Sequence, residues 1–231
     1  MDDLVDTTQM YLKSVLELEE EGIPALRARI AERLEQTGPT VSQTVARMQR
    51  DHLLIVSDDR HLEFTEHGRR TAVEIMRKHR LAECLLSQVI GLDWEHLHEE
   101  ACRWEHVMSD EVERRLVDVL GHPTRTPYGN AIPPLDSVTL VSAEEEGVVN
   151  LVRLTAGNGK PVTARIAWIG EPLQVDPVLL GRLRQAGVVP DGIGTFALHG
   201  PGVLARMTGT DEQVELPHHQ AAHVFVSEIF S

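Results

Sequence analysis

Cysteine is scarce in this chain: its 231 residues hold two, Cys84 and Cys102. That excludes a disulfide framework as the basis of the fold and fits a compartment where thiols stay reduced. Long apolar runs are missing too. No stretch approaches the roughly eighteen uncharged apolar residues of a membrane helix, and the first six residues, Met1 to Asp6, are acidic rather than leader-like. The expectation is a cytoplasmic protein with no membrane association. Positive charge is in deficit, 22 Lys and Arg against 36 Asp and Glu, for a net charge of −14. Taken whole, that balance argues against a polyanionic partner. Internal repeats and low-complexity tracts are also lacking. What remains is an ordinary soluble composition, long enough for one large core or a few smaller ones.

A polyanion meets local potential rather than net charge, and here charge is distributed unevenly. Residues 26–80 carry 11 Lys and Arg against 8 acids, whereas residues 1–25 carry 1 against 7, residues 81–150 carry 4 against 14, and residues 151–231 carry 6 against 7. One basic island lies in an acidic chain.

The island coincides with a recognisable order of elements. Met10, Tyr11, Val15, Leu16 and Leu18 fall at helical intervals over Thr7–Glu21, with Gly22 as a stop. Pro24-Ala25-Leu26 opens a second helix through Glu35, Thr37-Gly38-Pro39 is a tight turn, and a third helix runs from about Thr40 to Asp51. This is a helix-turn-helix. Two strand-like runs, Leu53–Val56 and His61–Thr65, flank the polar turn Ser57-Asp58-Asp59-Arg60 and read as a hairpin wing. On the third helix Val41, Val45 and Met48 face a core, leaving Thr40, Gln43, Arg47 and Arg50 outward. Gln suits adenine, small hydroxyl-bearing or apolar side chains can meet a thymine methyl, and arginine suits phosphate.

Farther on, a long helix is expected from Arg69 to about Ile90, with helical segments at Trp94–Leu97 and His98–Leu120. Transition-metal ligands recur there at helical spacing: His79 with Glu83, His98 with Cys102 and Cys102 with His106 are i,i+4 pairs, and Glu105 follows Cys102 at i+3. The mixture of thiolate, imidazole and carboxylate is softer than sets that suit magnesium or calcium. It points to iron(II), cobalt, nickel, zinc or manganese. Gly121–Asp136, with Pro123, Pro127, Pro133 and Pro134, has the composition of a linker. Beyond Val148, short apolar runs at 149–154, 163–169, 194–198, 203–208 and 214–216 alternate with glycine turns, and a short helix falls at Val178–Gln185. A small β-barrel is expected. No base, nucleophile or oxyanion constellation stands apart from the ligands, which disfavours a metalloenzyme.

The strings DLVDTT with Met10, LRARIAERLEQTGPTVSQTVARMQRD, MRKHRLAE and ACRWEHVMSDEVERRL resemble the diphtheria toxin repressor and iron-dependent regulator family of metal-activated transcriptional repressors. The resemblance runs over the whole chain. It implies a mainly α fold with β: a winged helix-turn-helix over residues 1–73, a helical dimerisation and metal-binding domain over 74–140, and an SH3-like β-barrel over 148–231. It implies a primary metal site of Met10, Cys102, Glu105 and His106. It also implies an ancillary site of His79, Glu83, His98, Glu171 and Gln174, with an anion near Arg80, Thr126 and Asn130. Met10, Glu171 and Gln174 enter only through the resemblance.

The DNA-facing residues so implied are Arg27, Thr37, Pro39, Thr40, Ser42, Gln43, Arg47, Arg50 and Arg60. The implied activity is repression, with iron(II) as corepressor at two sites per chain and Co(II), Ni(II), Zn(II) or Mn(II) able to substitute in vitro. The partners are double-stranded, palindromic operator DNA of iron-uptake and storage genes and a second copy of the chain, two dimers to an operator. A manganese-responsive regulator of the same fold is the alternative, against which the soft donors Cys102 and Met10 weigh. Thr37 and Thr126 depart from the serine expected in the best-known members, and the wing and much of 140–231 diverge.

Overall fold

A computed structural model describes residues 7–157 and 159–230, so the Asp3–Asp6 part of DLVDTT lies outside the described residues. The chain divides into two compact units, one comprising residues 1–82, 101–124 and 132–142, the other residues 83–100, 125–131 and 143–231.

The first unit opens with α1 (Thr7–Glu20), α2 (Arg27–Arg33) and α3 (Gly38–Arg50). Helix α2 starts later than its sequence suggests because the residues before it are used as extended chain. The Leu62 amide donates to the Ala25 carbonyl at 2.7 Å, and Leu26 bridges His61. Helix α3 starts earlier, at Gly38, with Thr37 as its cap: the Thr37 hydroxyl accepts from the Thr40 amide at 3.4 Å, and Pro39 occupies the first turn, where its missing N–H costs nothing. Strands β1 (Leu54–Val56) and β2 (Leu62–Phe64) pair antiparallel, as the wing requires. Tyr11, Leu12, Val15, Leu16, Ile30, Val41, Val45, Met48, Leu54, Leu62, Val73 and Met76 share one core.

Helix α4 spans Glu66–Leu85, α5 Leu97–Trp104 and α6 Asp110–Val119, with a π-helical turn at Leu86–Ile90 and a 3-10 turn at Trp94–His96. The continuous helix expected from His98 to Leu120 is broken at Glu105–Ser109. Ser109 caps α6 by accepting from the Val112 amide at 3.3 Å, and the acidic first turn Asp110, Glu111 and Glu113 complements the helix dipole.

The second unit holds a six-stranded antiparallel sheet in the order β3-β8-β4-β5-β6-β7. Its members are β3 (Val149–Asn150), β4 (Val162–Ile169), β5 (Ile193–His199), β6 (Gly202–Met207), β7 (Gln213–Pro217) and β8 (Val224–Phe230). Short helices α7 (Leu151–Thr155), α8 (Glu171–Gln174), α9 (Pro177–Gln185) and α10 (His218–Ala221) lie between them. Two expectations change here. Residues 149–154 are mostly helix, because the Asn150 side chain accepts from the Arg153 amide at 2.9 Å and caps α7. A strand not anticipated, β8, lies between β3 and β4.

The proline-rich stretch is docked rather than free. The Ile169 amide donates to the Tyr128 carbonyl at 2.9 Å, the Tyr128 hydroxyl donates to the Trp94 carbonyl at 2.6 Å, and the Trp94 indole donates to the Pro127 carbonyl at 3.1 Å. Gly129, at φ +90°, passes so close to β4 that a Cβ would stand 2.2 Å from the Ala167 carbonyl oxygen. Gly129→Ala is therefore expected to destabilise this unit by about 1–3 kcal/mol from backbone conformation alone, with the clash in addition. Urea unfolding followed by tryptophan fluorescence measures it; an unchanged midpoint would refute the close approach.

Candidate metal centre and nucleic-acid interface

The break after α5 places the donors. Cys102 lies in the last turn of α5, and Glu105 and His106 lie in the turn beyond, within the first unit. Glu105 is buried, at 4% exposed, and its Oε2 stands 2.6 Å from His79 Nδ1 of α4 and 3.1 Å from Lys13 Nζ of α1. Lys13 Nζ also stands 3.2 Å from His79 Nδ1 and 3.5 Å from Cys102 Sγ. A sulfur, a carboxylate and an imidazole thus converge on one point.

His106 lies against the other oxygen of Glu105. Its Nε2 is 3.5 Å from Glu105 Oε1, while its Nδ1 donates to Gln9 Oε1 at 2.6 Å. A carbonyl oxygen can only accept, so this bond puts a proton on Nδ1, and in the neutral ring Nε2 is then the nitrogen with a lone pair for a metal. Met10 is half-buried on α1 between the two residues that touch the cluster, Gln9 and Lys13.

Burial is the largest single influence on Glu105 and acts upward. The Lys13 charge, then His79 by charge and hydrogen bond, then His106 together outweigh it and hold the carboxyl down at about 2, against an ordinary 4.5. Glu105 is therefore an anion at neutral pH and a ready ligand. A carboxyl lowered on folding contributes stability in full above about pH 4.5 and loses it as pH falls toward 2. Metal-stripped wild type is expected to lose thermal stability over that window more steeply than Glu105→Gln; identical acid limbs would refute the assignment. Cys84 behaves differently: burial, with Glu83 nearby, pushes its thiol up to about 12 and keeps it neutral.

The remaining expected ligands lie in the second unit. Glu83 and His98 approach at 3.6 Å, Oε1 to Nδ1. Glu171 and Gln174 are buried on α8, where Gln174 Nε2 donates to Asn130 Oδ1 at 3.0 Å and to the Ile169 carbonyl at 2.7 Å. Gln174 Oε1 and Asn130 Nδ2 are buried without a hydrogen-bond partner among the described residues. An orphaned acceptor beside an orphaned donor suits a cation and an anion, since leaving either unmet costs free energy. The Thr126 hydroxyl accepts from the Tyr128 amide at 3.1 Å. Arg80 belongs to the first unit, where its guanidinium grips Glu20 through two bonds, at 2.9 and 2.6 Å.

On α3 the sorting of faces holds. Val41, Val45 and Met48 are fully buried, whereas Thr40, Ser42, Gln43, Arg47 and Arg50 are exposed, together with Thr37 and Pro39 at the start. Arg60 is exposed in the hairpin turn at φ +70°. Arg27 opens α2 half-buried, its Nε without a hydrogen-bond partner among the described residues. The Thr37 hydroxyl caps α3, which a serine hydroxyl at that position could equally do. Spacing did not single out Gln9, Lys13 or Glu20. The available signal was chemical: charged and amide side chains on a helix whose residues 11–18 are all buried.

A winged helix-turn-helix with a polar reading face, in one unit with a buried cluster of metal donors, defines a metal-responsive DNA-binding regulator. Residues 3–62 match the model of the iron dependent repressor N-terminal DNA binding domain, and residues 65–134 match that of the iron dependent repressor metal binding and dimerisation domain. The iron-dependent repressor IdeR of Mycobacterium tuberculosis is 54% identical over 99% of this chain and 100% of its own length. The diphtheria toxin repressor of Corynebacterium diphtheriae is 55% identical over 81% of this chain and 83% of its own. Among solved structures, T. acidophilum IdeR covers 96% of this chain and 98% of its own with a TM-score of 0.74 at 28% identity. A manganese-dependent transcriptional repressor complex with manganese covers 95% and 99% with a TM-score of 0.78 at 25% identity. The chain belongs to the iron-dependent repressor family, whose members are transcriptional repressors. No helix among the described residues is long and apolar enough to cross a membrane.

Proposed function

We propose that this protein represses transcription when iron(II) binds it, the loaded dimer occupying palindromic operators of iron-uptake and storage genes in the cytoplasm. The observation that carries the reading is that Cys102 and Glu105 meet at Lys13 of α1, the helix that bears Met10, with His106 Nε2 3.5 Å from Glu105 Oε1. Sulfur from cysteine and methionine with one carboxylate and one imidazole suits iron(II), cobalt or nickel better than manganese, which favours harder donors. The high identity to iron-dependent repressors points the same way, and the manganese-responsive reading remains the weaker of the two. When bound, the ion would supply a positive charge that several elements can share. Met10 would hold it from α1, and Cys102, Glu105 and His106 would hold it from α5 and the turn beyond.

The second site per chain is assigned to Glu83, His98, Glu171 and Gln174 together with His79, supported by the orphaned Gln174 Oε1. The anion is assigned to Asn130 and Thr126 with Arg80. Operator contacts are assigned to the exposed face of α3 and to Arg27 and Arg60, with two dimers on each operator. A metal shifts a population only through differential affinity: moving from 1:99 to 99:1 DNA-competent needs about 10⁴-fold preference for the competent form.

Operator binding is expected to vanish on chelation and to return with iron(II), cobalt or nickel. Cys102→Asp, which exchanges a soft donor for a hard one of similar reach, is expected to weaken activation by those ions and relatively favour manganese. Operator-binding curves for each metal on both proteins decide it, and an unchanged ranking would remove Cys102 from the ligand set. Gln43→Ala is expected to lower discrimination between operator and random DNA by about 1–3 kcal/mol while leaving metal affinity intact. A wild-type ratio in competition binding would take base recognition away from α3.

A further inference from the structure

The cluster of Cys102, Glu105 and His79 already contains a cation, and the chain supplies it. The Lys13 ammonium stands 3.1 Å from Glu105 Oε2, 3.5 Å from Cys102 Sγ and 3.2 Å from His79 Nδ1. Its side chain is 9% exposed, so the charge is held in the interior. These are hydrogen-bonding separations. A transition metal bonds sulfur at about 2.3 Å and nitrogen or oxygen at roughly 2.0–2.2 Å, so an ion held by Cys102 Sγ and Glu105 Oε2 would fall nearly where the ammonium lies. Two cations cannot occupy that volume together.

We infer that Lys13 is an internal counter-cation, which holds the donor cluster together in the metal-free chain and must leave it before a divalent ion can bind. The inference rests on the reading of Cys102 and Glu105 as metal ligands. The chemistry suits lysine: an ammonium is compact, carries three donors and rides on a flexible stem, so it can both fill the cluster and withdraw from it. Without Lys13 the buried Glu105 carboxylate would face a desolvation penalty in the metal-free protein. With Lys13 that penalty is offset, and whatever stabilises the metal-free state is subtracted from metal affinity. Lys13 thereby sets the metal concentration at which the protein responds.

Cobalt(II) binding to the full-length protein tests this, followed by thiolate-to-cobalt absorption against a competing chelator. Lys13→Met is expected to bind cobalt(II) roughly tenfold more tightly or better than wild type, the scale of a charge-assisted hydrogen bond no longer to be broken. Lys13→Arg, which keeps the charge, is expected to stay on the weak-binding side. A second readout uses no cobalt: in chelator, Lys13→Met is expected to melt below wild type, the deficit disappearing at saturating cobalt(II). Lys13→Gln replaces it if Lys13→Met does not fold without metal. Affinity in the neutral variant equal to or weaker than wild type overturns the inference, as does tight binding by Lys13→Arg. If wild type itself gives no thiolate-to-cobalt absorption, the ligand reading fails and the inference falls with it, a result distinguishable from the others.

Discussion

Helix α1 has almost no water-facing side, yet it carries charge, and that constraint shapes the first unit. Lys13, Glu17, Glu20 and the adjoining Glu21 are each no more than 8% exposed. Buried ions must find partners or lose their charge. Lys13 finds Glu105; Glu17 and Glu21 share Arg33 of α2 at 3.0 Å each; Glu20 takes Arg80 of α4. Such pairs add little net stability compared with apolar packing, but stranding one member costs about 3–5 kcal/mol. Their effect is to specify position. The partners lie on the helix that precedes the reading helix and on the elements that carry the metal donors, so the pairs that solve a desolvation problem also join recognition to sensing.

Much of this was legible in the sequence because it rests on local pattern. The faces of α3 follow from 3.6-residue periodicity alone, whereas Thr37-Gly38-Pro39, which reads as a tight turn, is the cap and first two residues of the helix. Ligand identity was partly legible: His98, Cys102 and His106 stand out by spacing. The spacing suggested a continuous helix, whereas the structure ends α5 at Trp104 and caps α6 with Ser109, so Glu105 and His106 reach the cluster from a turn. Local capping chemistry outweighed periodicity. The same competition decided residues 151–155, where Asn150 turned an apolar, β-branched run into helix.

What escaped the sequence was long-range. Lys13 meets Glu105 across 92 positions and Gln9 meets His106 across 97. No periodicity connects such pairs. Strand β8 is likewise defined by its neighbours in the sheet, and the docking of residues 125–131 on β4 was hidden because prolines and glycines have the same composition in a free linker and in a bound one.

Gln9 and Lys13 lie four residues apart, on one face of α1, and each holds a different donor of the cluster. An α-helix turns about 100° per residue, so slipping α1 by a single position would swing both contacts away together. Tyr11 and Leu12, now wholly buried, would be displaced with them. As a rigid body the helix therefore fits the cluster in one phase, although the flexible Lys13 stem can swing out while the helix stays in place. A sensor built on that fit reports in steps: α1 is either in register with the donors or out of it.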